Sequence, residues 1–98
     1  MNNGEATMRY HRAPGIEAAP MQDETVLFDP NTKKFCILNA TAAHLWESLE
    51  RPCSAAELAA SIVGAFDGVD PKIAERDVQV ALKDLVGLGI VGASGADA

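Results

Sequence analysis

Apolar positions along this chain change their period once, from roughly two residues to roughly 3.6, near the Leu38-Asn39 junction. Strands are therefore expected first and helices second. Thr25-Val26-Leu27-Phe28-Asp29 and Lys34-Phe35-Cys36-Ile37-Leu38 are both rich in strand formers. Between them, Asp29-Pro30-Asn31-Thr32 suits a type I turn, with Asp accepting a backbone bond at the first position and Pro fixing φ at the second. The pair reads as a hairpin. Upstream, Gly15-Ile16-Glu17-Ala18 alternates over a short stretch before Pro20, and a strand there makes the sheet a three-stranded meander.

Asn39 is placed to cap a helix whose apolar face is Ala42, Leu45, Trp46 and Leu49, at i, i+3, i+4 and i+7. Arg51-Pro52 ends it. Ser54-Ala55-Ala56-Glu57 has the form of a capping box ahead of Leu58, Ile62 and Phe66, and Gly64 and Gly68 weaken the end of that second helix. Asp70-Pro71 then opens a third helix with a cap and a preset φ, and Ala74, Val78, Ala81, Leu82 and Leu85 form its buried stripe. Gly87 and Gly89 stop it, and Ile90-Val91 supplies a short closing element against the hairpin. The expected fold class is α+β, a three-stranded antiparallel sheet followed by three helices in a winged-helix-like arrangement. Residues 16–91 form the domain, between flexible tails at 1–15 and 92–98.

The chain has 98 residues, of which 48% are hydrophobic, enough for one core and too few for a second domain. Fourteen acidic residues against eight basic ones give a net charge of −6, which opposes binding to phosphate backbones or anionic lipid. A winged-helix DNA reader is the natural alternative for this architecture, yet residues 40–91 carry four basic and eight acidic residues, and phosphates would repel such a recognition helix. No apolar run has the length of a membrane span and the first residues contain no apolar segment of a signal peptide, so the expected compartment is the cytoplasm. Cys36 and Cys53 match no zinc or redox spacing and are expected to be thiols.

Catalysis has little to work with. The histidines are His11, in the expected N-terminal tail, and His44, beside the buried stripe of the first helix; neither has a recognisable nucleophile and orienting group. The combination Cys36, His44 and Cys53 lacks the spacing of zinc ligands, and Cys36 suits a small apolar strand position. No enzyme activity, metal or cofactor is expected. A binding module remains, or a structural dimerisation module that pairs through the same open sheet edge.

The order of several short motifs is more specific than any one of them. Val26-Leu27-Phe28-Asp29, a turn, Ile37-Leu38-Asn39, Thr41-Ala42 and Leu45-Trp46-Glu47 resemble the start of the family of pyrroloquinoline quinone biosynthesis protein D, the PqqD-like proteins. Ala56-Glu57-Leu58 resembles the start of that family's second helix, and Asp77-Val78, Leu82, Leu85 and Gly89-Ile90-Val91 are similar to its closing element. The likeness extends over about residues 16–91 and departs at Arg51-Pro52-Cys53, where many members have a glycine-containing turn.

What the resemblance implies is a peptide chaperone for ribosomally made, modified peptides, with three strands and three helices. The leader of a precursor peptide would add as a strand to the edge at Lys34–Leu38, lie against the third helix, and be presented to a modifying enzyme such as a radical S-adenosylmethionine protein. An open edge offers unpaired N–H and C=O groups, so the backbone of Lys34, Phe35, Cys36, Ile37 and Leu38 carries the expected affinity. The side chains of Phe35, Ile37 and Leu38 are expected mainly in the core. Lys33 and Lys34 guard the edge and would attract an acidic leader. On the third helix, Ile73 and Val80 lie seven apart beyond the main stripe; they either complete the core or line the groove with Arg76 and Lys83.

Overall fold

The computed structural model describes residues 8–95. Its first sheet is the expected meander: β2 (Glu17–Met21), β3 (Glu24–Asp29) and β4 (Lys34–Leu38), antiparallel in that order. The third strand lies slightly later than the alternation at Gly15–Ala18 suggests, and it runs through Pro20. Proline is tolerated there because β2 is an edge strand. Met21 and Glu24 close a two-residue turn, with Gln22 at φ +46°, and so exchange hydrogen bonds as a pair. The next pair along, Pro20 with Thr25, does not, and the missing N–H faces outward. At the second turn the Asp29 carboxylate accepts from the Asn31 N–H at 2.9 Å, and the Lys33 N–H donates to the Asp29 carbonyl at 2.7 Å.

All three helices form where their caps place them. In α1 (Ala40–Ser48) the Asn39 side chain accepts from the Ala42 N–H. In α2 (Ala55–Ala65) Ser54 accepts from the Glu57 N–H at 3.1 Å, while the Glu57 carboxylate accepts from the Ser54 N–H at 2.8 Å. That second bond, together with nearby Arg9, holds the Glu57 carboxyl below its ordinary pKa. α3 (Pro71–Gly87) starts at Asp70, whose carboxylate accepts from the Lys72 N–H.

Leu27 and Leu38 from the meander meet Leu45, Trp46 and Leu49 from the α1 region, Leu58 and Ile62 from α2, and Ala74, Val78, Leu82 and Leu85 from α3. This core follows the predicted stripes. Phe66 only partly joins it, as the residue after α2.

A second three-stranded sheet was not evident in the sequence. β1 (Arg9–Arg12) pairs with β5 (Cys53–Ser54) on one side and β6 (Val91–Ser94) on the other. Strands therefore occupy part of each expected tail; tail residues 1–7 and 96–98 lie outside the described residues. Ile90-Val91 does close the fold, but against β1 rather than the hairpin. The physical reason is that Arg-Tyr-His-Arg has no alternating pattern, and its partners lie about forty and eighty residues away in sequence. Arg12 fastens this sheet to α1: its guanidinium lies 4.6 Å from the centre of the Trp46 ring and donates to the Trp46 carbonyl at 2.7 and 2.9 Å. A helix whose last turn holds no basic residue thus receives one from a distant strand.

Candidate functional site

β4 is an outer strand of the meander, and its register determines which backbone groups are free. Because Met21 and Glu24 are a hydrogen-bonded pair, Glu24, Val26 and Phe28 turn their N–H and C=O toward β2, and Thr25, Leu27 and Asp29 turn theirs toward β4. Cys36 is opposite Leu27 and is therefore bonded inward. The outward-facing N–H and C=O groups belong to Phe35 and Ile37. Of the backbone groups expected at the edge, those of Lys34, Cys36 and Leu38 are thus already engaged with β3, opposite Asp29, Leu27 and Thr25.

Side chains follow the same alternation. Leu38 is buried and Cys36 half-buried on the face toward the helices, where burial pushes the Cys36 thiol pKa up. Phe35 and Ile37 point to the opposite face and are 70% and 65% exposed, which corrects the expectation that they belong to the core. Leu27 and Thr25 occupy the inward positions of the neighbouring strand, so the odd-numbered residues of β4 have no helix to pack on. The Phe35 ring instead lies against Phe28, with centroids 4.7 Å apart.

α3 carries the second wall. Ile73 and Val80 are 47% and 57% exposed and do not complete the core. Val80 borders two hollows. One, of about 380 Å³, lies where β4 ends and α1 begins, and is lined by Asn39, Thr41, Ala42, Asp77, Val80, Ala81 and Asp84. The other, of about 400 Å³, lies between α3 and the second sheet, with Tyr10, Val80, Lys83, Val86 and Ala93 on its walls. Lys83 therefore stands on the far side of Val80 from β4. Ile73 and Arg76 line neither hollow.

The first hollow thus joins Val80 to Asn39, one residue past the end of β4, while none of Lys34–Leu38 lines it; it adds Asp77 and Asp84, which sequence reasoning missed. Both aspartates fall on the same helical stripe as Ile73 and Val80, a spacing visible in the sequence once that stripe is known to face the cleft.

Elsewhere, His44 Nε2 lies 2.7 Å from Ser61 Oγ with its ring edge-on to Phe66, and Ser48 Oγ is 3.3 Å from the same hydroxyl. This polar cluster links α1 to α2 at a half-buried boundary, as the sequence position of His44 suggests. Among the described residues, no three His, Cys, Asp or Glu side chains are grouped to hold a metal ion, and no helix is long and apolar enough to cross a membrane.

The family model of coenzyme PQQ synthesis protein D (PqqD) matches residues 24–91 of this chain. No curated protein matches it. Two solved structures are similar. TbiB1 in complex with the TbiA(beta) leader peptide is 25% identical with a TM-score of 0.74, the match covering 83% of this chain and 93% of that one. Lasso peptide synthetase B1 complexed with the leader peptide is 26% identical with a TM-score of 0.71, over 85% of this chain and 96% of the other.

Proposed function

Because the chain belongs to the family of coenzyme PQQ synthesis protein D, we propose that it binds the leader of a ribosomal precursor peptide and presents it to a modifying enzyme, without catalysis of its own. The observation that carries this reading is the open edge of β4 beside the cleft at Val80, in a fold shared with two proteins solved with leader peptides bound. A leader added to this edge bonds to the N–H and C=O groups of Phe35 and Ile37. Its alternate side chains then turn two ways: half toward α1 and α3, half into line with the exposed Phe35 and Ile37. The backbone supplies affinity whatever the leader sequence, and the cleft selects among leaders. The partner enzyme is of the kind that modifies peptides, a radical S-adenosylmethionine protein being one such class, and the work is done in the cytoplasm.

Titration calorimetry with the leader encoded beside the gene for this protein tests the proposal. Saturable one-to-one binding is expected. Val80→Lys places a positive charge at the exposed centre of the cleft while sparing the buried stripe, so affinity should fall about tenfold, roughly 1.4 kcal/mol, with the melting temperature little changed. Unchanged affinity in folded Val80→Lys would move the leader away from this cleft.

A further inference from the structure

The open edge of β4 is oppositely charged at its two ends. Lys33 and Lys34 stand where the strand begins; Asp77 and Asp84 border the hollow where it finishes, beside Asn39. On α3 the residues three and four positions from these aspartates are Ile73, Ala74, Val80, Ala81, Gly87 and Leu88, so neither acid has a basic partner at helical pairing distance; Arg76 and Lys83, which directly precede them, turn to other faces of the helix. The one salt bridge among the described residues, Arg9 with Glu57 at 3.5 Å, lies outside the cleft. Two carboxylates with no salt bridge among the described residues thus flank the exposed Val80 in a hollow that begins at Asn39, one residue past the end of β4.

Resting on the leader-binding reading, we propose that the ligand is a charge-ordered peptide segment, with Lys or Arg opposite Leu38, an apolar residue opposite Cys36, and Asp or Glu opposite Lys34. These three positions share the inward face because side chains alternate along a strand. The first reaches Asp77 and Asp84, the second packs on the half-buried Cys36, and the third forms a cross-strand pair of opposite charge with Lys34. Both sheets of this protein are antiparallel throughout, and antiparallel pairing is the more stable per residue. The order in the ligand, N- to C-terminal, is therefore basic, apolar two residues on, and acidic four residues on, with about 13 Å between the charges at roughly 3.3 Å per residue. An acidic residue alone answers Lys34; the order of the two charges gives the leader its direction.

The test is a selection from a displayed library of random twelve-residue peptides on the 98-residue protein. Enriched peptides are then measured by fluorescence anisotropy against wild type, Asp77→Lys/Asp84→Lys and Ile37→Pro. Enrichment of Lys or Arg four positions before Asp or Glu is expected, with about tenfold weaker binding to the double lysine variant and restored binding when the basic residue of the peptide is made acidic. Enriched peptides with the reverse order, with no charge order, or with undiminished affinity for the folded double variant would overturn the proposal. If such peptides still fail to bind folded Ile37→Pro, strand addition stands and only the charge order falls. Peptides indifferent to Ile37→Pro, or a library that yields no binder, would overturn the leader-binding reading itself.

Discussion

Single residues set the ends of the elements, and one glycine shows how tightly. Gly89 follows α3 at φ +78°, its N–H donates to the Val86 carbonyl at 3.0 Å, and the Ile90 N–H donates to the Leu85 carbonyl at 3.1 Å. This pair of bonds is a Schellman motif, and it turns Ile90 and Val91 into the core at 5% and 2% exposure. Nothing crowds a Cβ at Gly89, so the cost of Gly89→Ala is conformational alone, about 1 kcal/mol for an L-residue held in the left-handed region. Urea unfolding should show a lower midpoint with an unchanged slope; an unchanged midpoint would mean that the glycine is dispensable. Asn39, Ser54, Asp70 and Gly89 were all legible as helix ends in the sequence, because each acts on backbone groups within a few residues of itself. Asp77 and Asp84 were not legible as residues of the cleft at Val80, because what places them there is the end of a strand some forty residues earlier in the chain.

At the scale of elements, the meander and the three helices follow from local periodicity, whereas β1, β5 and β6 do not. Each of those strands is two to four residues long and pairs with a segment distant in sequence. Two-residue alternation also does not say which face of a strand meets the helices when both faces are apolar. β4 is such a strand, which is why Phe35 and Ile37 read as core and stand exposed. The same alternation yields a discriminating pair of variants. Ile37→Pro removes an N–H that points out of the sheet, so the hairpin should persist and the melting temperature shift by only a few degrees, while leader binding is lost. Cys36→Pro removes a ladder bond to Leu27 and leaves that carbonyl unpaired, which should destabilise the fold by about 1–3 kcal/mol. Circular dichroism melts beside binding titrations read both; a folded Ile37→Pro protein with full affinity would show that the edge is not used.

For the whole molecule, the second sheet is what makes the fold more than a hairpin with helices. β1 lies between β5, which leads into α2, and β6, which follows α3, while Arg12 reaches the carbonyl end of α1. These attachments hold the helices in place beside the meander. The direct measurement is amide hydrogen exchange followed by NMR, on the free protein and with a saturating leader peptide. The amides of Phe35 and Ile37 should exchange rapidly when free and be strongly protected in the complex, while Cys36, bonded to β3 throughout, is slow in both states. Protection that appears instead along β2 or β6, with Phe35 and Ile37 unchanged in the saturated complex, would contradict strand addition at β4.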